Sequence, residues 1–178
     1  MSVEVERGNG LVPVAYHQFK ISDEDGPMAP DLAYEHNGLV EVEDGVALVH
    51  TGIHTGDVNV TVAMYETAPA SSTEDWDEIL EFSAHSASGE LMVRGLMADL
   101  DEELPVLSFN GPGDYRLRVH ACGRDTAVDL VPDEVTEWYL IQTWPALPAP
   151  VTVLRQSDSY GASLRARWCP VNALRYAG

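Results

Sequence analysis

The chain has 178 residues, 45% of them hydrophobic, which is the size and composition of one globular domain with its own core. It contains 29 Asp and Glu residues against 10 Lys and Arg residues, and its formal net charge is −19. A charge of this sign repels nucleic-acid phosphates and anionic membranes, so it argues against direct binding to either and favours a basic protein as the partner. The alternative is an acidic surface that serves solubility alone.

The hydrophobic residues recur mostly with a period of two, which predicts half-buried β-strands. Residues 57–64 and 115–121 alternate most regularly, while the aromatic and β-branched run 138–144 predicts a more central strand. Shorter apolar segments predict further strands, at 14–21, 39–42, 46–51, 79–84, 91–94 and 106–109. Short strands separated by turn residues predict an all-β fold, a single-domain β-sandwich of about eight or nine mostly antiparallel strands with little helix.

Turn residues separate several of these segments. Asp44-Gly45 and Ser88-Gly89 each lie between two apolar segments and predict β-hairpins, because residue pairs of this kind tolerate positive φ angles. The sequence between Asn110 and Asp114 predicts a rigid turn before the strand at 115–121. Residues 72–80 predict one helical turn, since their acidic residues would lie at its N-terminal end, where the helix dipole favours them.

A proline-rich segment at 145–150 predicts a boundary, because proline cannot continue a central strand. Residues 1–150 contain 28 acids and 6 bases, whereas residues 151–178 contain 1 acid and 4 arginines. We therefore predict an acidic β-sandwich domain at 1–144, followed at 145–178 by a Pro-rich linker and a basic C-terminal extension that packs on the domain. A tail that reaches a partner is the alternative.

Targeting and membrane signals are the next feature to consider. Residues 1–7 lack the basic start and apolar run of a signal peptide, and no stretch of about 18 apolar residues is present to span a membrane. Cys122 and Cys169 belong to no CxxC motif and predict reduced thiols rather than a disulfide framework. A single bridge between them is the alternative if the chain is exported. These features predict a cytoplasmic protein.

Motifs for catalysis or metal binding are absent from the sequence. His50 and His54 have the spacing of a zinc pair on a helix, but the glycines and β-branched residues around them predict a strand end and a loop. There is no Gly-x-Ser-x-Gly motif and no glycine-rich phosphate loop, and Lys20 is the only lysine. We therefore predict a protein that is not an enzyme and holds no cofactor. A small enzyme would need carboxylates to meet histidines in one cleft, drawn from His17, His50, His54, His85 and His120.

Two acidic segments supply the candidate partner-binding residues. They comprise Glu74, Asp75, Trp76, Asp77 and Glu78 in the first segment, and Asp99, Asp101, Glu102 and Glu103 in the second. Exposed acids steer a basic partner, and a tryptophan among them supplies an apolar anchor. The alternatives are a buried tryptophan, solvated acidic loops, and a calcium site in the second segment, although the glycine and final glutamate of an EF-hand loop are missing there.

Three segments in this order resemble one protein family: Tyr16-His-Gln-Phe19, Gly113-Asp-Tyr-Arg-Leu117 and Trp138-Tyr-Leu-Ile141. Their order and spacing are similar to those of the competence protein J family, small inhibitors of the bacterial DNA-entry nuclease, over about residues 12–144. The chain departs from the family pattern by its C-terminal extension and by acidic insertions around 66–78 and 99–104.

The resemblance implies a cytoplasmic β-protein that binds and silences a nuclease. The residues that carry it are interpreted as core or strand positions rather than contact residues: Tyr16, Phe19, Tyr115, Tyr139 and Ile141. The leading hypothesis is an inhibitor or immunity-type protein whose acidic surface blocks a basic partner enzyme, a nuclease or a toxin. The second hypothesis is a calcium- or carbohydrate-binding β-sandwich module.

Overall fold

The computed structural model describes residues 1–24, 37–43, 45–96 and 104–167. These residues form ten β-strands and one α-helix. In chain order the elements are β1 Glu4–Val14, β2 Gln18–Ser22, β3 Val40–Glu43, β4 Val46–His50, β5 Gly56–Tyr65, β6 Glu78–Ser86, β7 Met92–Gly95, β8 Gly113–Cys122, β9 Trp138–Pro145, β10 Thr152–Gln156 and α1 Ser159–Arg167.

The strands form two sheets. The large sheet has six strands in the order β1-β5-β9-β8-β6-β10, and the small sheet has four strands in the order β3-β4-β2-β7. Among the described strands, β5 and β9 pair in parallel and the other seven pairings are antiparallel. The prediction of an all-β, mostly antiparallel sandwich with little helix is confirmed.

The core lies between the two sheets and follows the period-two pattern of the sequence. In β5, Val58, Val60 and Val62 are fully buried and belong to one apolar cluster with residues of the small sheet. The Phe19 ring of β2 meets the Tyr139 ring of β9 edge to face, with 5.1 Å between ring centroids. Full burial of such side chains contributes about 1.5–3 kcal/mol each, so this layer is what holds the sheets together.

The strand β8 differs from the predicted half-buried strand, because both of its faces are covered. Arg116 and Arg118 alternate with its core residues, yet they are only 6% and 5% exposed. Arg118 donates hydrogen bonds to Glu81 and to the carbonyl of Pro69, while Arg116 donates to the carbonyl of Pro150 at 2.7 Å. The segments that precede β6 and follow β9 therefore lie over this face, and they withdraw two cationic side chains from the surface.

The segment 14–21, predicted as one strand, is two strands with a turn between them. β1 ends at Val14, Tyr16 and His17 form the turn, and β2 begins at Gln18. The chain passes at this turn from the large sheet to the small sheet. The apolar pattern did not indicate the turn, because it contains neither glycine nor proline.

Other predicted elements are also corrected by the structure. Residues 106–109 form no strand; there Ser108 Oγ accepts the amide of Leu91 at 2.9 Å. Residues 72–77 form no helix, and their backbone leads directly into β6. The strand β10 was not predicted, because its residues are all exposed and carry no alternation of buried and exposed positions.

The predicted turns have different outcomes. The hairpin before Gly45 is confirmed, since β3 and β4 pair antiparallel and Gly45 has a φ of 82°, while Asp44 lies outside the described residues. The hairpin at Ser88-Gly89 is wrong, because β6 belongs to the large sheet and β7 to the small sheet. Buried Asp23 holds this crossing by accepting hydrogen bonds from the hydroxyls of Ser86 and Ser88, each at 2.7 Å.

The C-terminal part of the described chain continues the sandwich. β10 pairs with β6 at the edge of the large sheet, and α1 follows it. Residues 168–178 lie outside the described residues, and the division of the chain at 145 stays a prediction. Within the described part of the chain, no helix has the length and apolar character required to cross a membrane.

Candidate functional site

The strand register gathers four loops at one end of the sandwich. β1 ends where β5 begins, since Val14 pairs with Gly56, and β8 ends where β9 begins, since Cys122 pairs with Trp138. β6 begins opposite the end of β8, where Glu78 pairs with Ala121. We call this edge the loop end and define it by residues 15–17, 51–55, 72–77 and 123–137.

The four loops of the loop end carry acids and no exposed Lys or Arg side chain, while the neighbouring helix α1, whose Tyr160 stacks on His17, ends in Arg165 and Arg167. The four loops contain one arginine and no lysine, and that residue, Arg124, is fully buried. The acids of these loops that are exposed or half-buried are Glu74, Asp75, Asp77, Asp125, Asp129, Asp133 and Glu134. The exposed charge of these four loops is therefore negative.

The first predicted acidic segment lies at the loop end. Glu74 and Asp75 are exposed, whereas Trp76 and Asp77 are half-buried. The Trp76 ring packs against the His120 ring, with 5.4 Å between centroids, and Asp77 accepts the Gly123 amide at 3.2 Å. The tryptophan is thus fixed on β8 by one face, and the two acids before it face solvent.

The predicted exposure of Glu78 is wrong, since its side chain is buried. The residue opens β6, and its Oε1 atom lies 3.4 Å from Arg165 Nη1 and 3.8 Å from Arg124 Nη2. Burial raises the pKa of its carboxyl to about 7, and the neighbouring carboxylate of Asp158 acts in the same direction. Alternation along β6 turns this acid away from the surface that Glu74 and Asp75 occupy.

The second predicted acidic segment, Asp99, Asp101, Glu102 and Glu103, lies outside the described residues. Partner binding and calcium binding there stay predictions. Within the described ranges, no three His, Cys, Asp or Glu side chains lie close enough together to hold a metal ion.

A buried charge cluster joins the C-terminal segment to the loop end. The Arg124 guanidinium donates to both carboxylate oxygens of Asp158, at 2.7 and 2.8 Å, in a bidentate pair. Its third nitrogen donates to the carbonyls of Gly38 and His50. No local pattern indicates this pair, because 34 residues separate the two side chains.

The loop 123–137 is fixed to its neighbour by a second buried acid. Both carboxylate oxygens of Glu137 accept backbone amides, from Gly52 at 3.0 Å and Ile53 at 2.7 Å, and the carboxylate also accepts the Tyr139 hydroxyl. At Gly52, a side chain would collide with the carbonyl of Arg124, so only glycine permits this approach. The two loops therefore form one rigid unit.

The turn between β1 and β2 places an aromatic ring in solvent. The interpretation of Tyr16 as a core or strand position is wrong: its side chain is 65% exposed, and its φ is 54°. The other four residues interpreted in this way are buried in strands, namely Phe19, Tyr115, Tyr139 and Ile141. His17 follows in the same backbone conformation and contacts the two neighbouring loops, with Nε2 at 2.9 Å from Asp129 and Nδ1 at 3.1 Å from the Thr51 carbonyl.

Apolar side chains are exposed beside the tyrosine. In the loop 123–137, Leu130 is 59% exposed and Val131 is 65% exposed. The Leu130 carbonyl accepts the His54 amide at 2.8 Å, and the His54 ring contacts the Tyr16 ring at 5.6 Å between centroids. His54 therefore links the exposed Tyr16 ring to the loop that carries the exposed Leu130 and Val131 side chains.

The five described histidines do not converge on one cleft. His17 and His54 meet at the loop end, whereas His85 pairs with Asp114 at the opposite end of the sandwich. His120 lies under Trp76, and burial lowers its pKa to about 4. His50 Nε2 lies 3.3 Å from Glu41 Oε1 at the end of β4.

The two cysteines have different outcomes. Cys122 is a free thiol whose pKa is raised by burial, and Cys169 lies outside the described residues.

Comparisons with known proteins relate the fold to two solved structures. No protein-family model matches the chain, and no curated protein matches it. The crystal structure of ComJ from Bacillus subtilis, described as the inhibitor of the DNA degrading activity of NucA, matches with a TM-score of 0.56 and 17% identity, over 82% of this chain and 99% of ComJ. The structure described as crocagin biosynthetic gene J matches with a TM-score of 0.51 and 17% identity over the same shares. The chain thus has the fold of the ComJ inhibitor, over nearly the whole length of that protein.

Proposed function

We propose that this protein is a protein-binding inhibitor that blocks a basic partner enzyme, a nuclease, through its acidic surface. The observation that carries the proposal is the likeness of the whole sandwich to ComJ, whose description is that of a nuclease inhibitor. The neighbouring structure gives no support for a catalytic role, and the described histidines do not meet in one cleft.

The charge of the loop end supplies a mechanism. A nuclease presents cationic groups to the phosphates of its DNA substrate, and a rigid acidic surface competes for the same groups. Glu74, Asp75 and Asp77 belong to this surface, together with the acids of the loop 123–137. Charges of one sign on a rigid frame accelerate association with the oppositely charged surface by about 10- to 1,000-fold at low salt.

The test is inhibition of DNA degradation. Each non-specific nuclease encoded in the same genome is purified and assayed on linear DNA with increasing amounts of the chain. We expect one of these nucleases to lose its activity at an equimolar ratio of the chain. Excess DNA should relieve this inhibition, and additional chain should restore it, because the chain and the DNA compete for the same groups of the nuclease. Full activity of every nuclease at a large excess of the chain would overturn the proposal.

A matched pair of variants tests the charge mechanism. The variant with Glu74→Gln and Asp75→Asn removes two exposed charges at the loop end, and the variant with Glu6→Gln and Glu66→Gln removes two exposed charges at the opposite end. We expect the first to inhibit about tenfold more weakly than the second, which corresponds to about 0.7 kcal/mol for each lost charge. Equal potency of the two variants would show that the acids of the loop end are not in the contact.

A further inference from the structure

We propose that the partner docks on the loop end around the exposed ring of Tyr16 and the apolar tip of the loop 123–137, and that it presents a basic surface with an apolar pocket. The proposal rests on the proposed function for the identity of the partner as a nuclease. The position of the surface and its chemistry follow from the side chains described below.

The backbone at Tyr16 is unfavourable for the residue that occupies it. Ala15 and Gln18 exchange backbone hydrogen bonds at 3.3 and 3.2 Å around Tyr16 and His17, whose φ angles are 54° and 63°. A two-residue turn with two positive φ angles is the type that Asn-Gly forms at least cost. A tyrosine there bears backbone strain and also leaves its ring 65% exposed.

The inward contacts at this turn belong mainly to the neighbouring residue. His17 contacts Asp129 and Thr51 with its two ring nitrogens and stacks on the Tyr160 ring at 5.9 Å. Tyr16 has one ring contact among the described residues, with His54, and its ring centroid lies 5.6 Å away. The His17 ring thus packs against the fold, and the Tyr16 ring is exposed to solvent.

The apolar tip of the loop 123–137 extends this surface. Val128, Leu130 and Val131 are 38%, 59% and 65% exposed within four residues. Apolar side chains that stay exposed contribute nothing to the stability of the fold. Exposed apolar patches bordered by polar residues mark interaction surfaces. An aromatic ring beside aliphatic side chains is the composition of an interface centre, with polar groups around it.

The patch is held rigid before any partner arrives. The Asp129 amide donates to the Gly52 carbonyl at 2.9 Å, and the His54 amide donates to the Leu130 carbonyl at 2.8 Å. These bonds, with the buried carboxylate of Glu137, fix the backbone that carries the apolar side chains. A surface that is already ordered loses little conformational entropy on binding.

The border of the patch selects the charge of the partner. Asp133 and Glu134 follow the apolar tip in the chain, and Glu74 and Asp75 lie on another loop of the same end. All four are exposed and make no hydrogen bond or salt bridge with the described part of the chain. Their charge is therefore available to a partner, and a basic surface would be favoured. A second copy of this chain would bring like charges together and is disfavoured for the same reason.

The experiment uses the full chain and two probes. Random 12-residue peptides displayed on phage are selected on the immobilised chain, and the most enriched peptides are synthesised for affinity measurements. The nuclease found by the inhibition assay is the second probe. We expect the enriched peptides to combine Arg or Lys with aromatic or aliphatic residues, and acidic peptides, or no enrichment at all, would overturn the proposal.

Variants locate the binding site. Tyr16→Asn, and the double variant Leu130→Ser with Val131→Ser, are expected to raise Kd at least about tenfold for both probes. The matched control is Val5→Ser, an exposed apolar residue on β1 far from the loop end, and it should leave Kd unchanged. Equal Kd values for wild type and the Tyr16→Asn variant would overturn the proposal.

Thermal unfolding separates a binding role from a structural one. Because Asn suits the turn, the Tyr16→Asn variant should keep its Tm or gain about 2–4 °C. A large fall in Tm would mean that the Tyr16 ring stabilises the fold, and it would overturn the proposal. A wild-type dimer that dissociates in the Tyr16→Asn variant would mean that a second copy of the chain occupies the patch, and it would overturn the proposal as well. If the Tyr16→Asn variant inhibits a nuclease with unchanged potency, the proposed docking surface is wrong and the proposed function stands. If peptides bind at this surface but the chain inhibits no nuclease, the proposed function is wrong and the docking surface stands.

Discussion

The buried carboxyl of Glu78 makes stability depend on pH, and the variant Glu78→Gln isolates its contribution. Desolvation and the nearby carboxylate of Asp158 raise its pKa from 4.5 to about 7. The folded protein therefore binds more protons than the unfolded chain between these two values. The contribution of this group is complete below about pH 4.5 and is lost as the pH rises through about 7.

The size of the effect follows from the two pKa values. Between pH 5 and pH 8 they correspond to a loss of about 2–3 kcal/mol in the free energy of unfolding. Gln at position 78 keeps an oxygen that accepts the Asp158 amide, but it cannot ionise. Urea unfolding at pH 5, 6, 7 and 8 should show the wild type losing this amount relative to Glu78→Gln, because all other titrating groups are common to both proteins.

The control for this experiment is Glu74→Gln, which removes an exposed carboxylate four residues away. Its free energy of unfolding should follow that of the wild type across the pH range. Parallel pH profiles for the wild type and Glu78→Gln would contradict this prediction, since they would mean that Glu78 titrates in the folded protein as it does in the unfolded chain.

Three further predictions concern other buried polar groups. Arg124→Ala should lower the free energy of unfolding, measured in urea, by about 3–5 kcal/mol, because it leaves the carboxylate of Asp158 buried without its bidentate partner; a loss below about 1 kcal/mol would contradict this. Glu137→Gln should cost about 1–3 kcal/mol in thermal unfolding, because a side-chain NH₂ group then faces a buried amide, and an unchanged Tm would count against it. His120, whose pKa burial lowers to about 4, is neutral in the folded protein, so its contribution is present above about pH 6.5 and is lost as the pH falls towards 4. The wild type should therefore lose stability relative to His120→Leu between pH 7 and pH 5 in urea unfolding, and equal losses would be the contrary result.

The fold could be predicted from the sequence where one face of a strand is buried. The alternation in β5, with Val58, Val60 and Val62 pointing into the core, indicated the strand directly. The pattern missed β10, which lies exposed at the edge of the large sheet. It predicted the strand β8 correctly but not the burial of its second face, where Arg116 is covered by chain that is distant in sequence. Alternation reports one buried face, and it carries no information on what covers the other.

The candidate site could be predicted only in part, for a similar reason. A count of charges indicated an acidic surface, and Glu74 and Asp75 are exposed as that reasoning requires. The burial of Glu78 depends on Arg124 and Arg165, which approach it from other parts of the chain. Tyr16 was interpreted as a core or strand position because its motif lies on the predicted strand 14–21, and its positive φ shows that it lies in a turn.

The most direct test of the central claim is the affinity of the complex between the chain and its nuclease as a function of salt. We expect opposed charges to face each other across the contact, with Glu74, Asp75, Asp133 and Glu134 on the side of this chain. Kd measured by isothermal titration between 50 and 500 mM salt should rise steeply for the wild type, and markedly less for the variant in which these four acids are neutral amides, because salt screens exposed charges beyond about 8 Å at physiological ionic strength. A wild-type Kd that does not change with salt, or the same salt dependence in both proteins, would contradict the account.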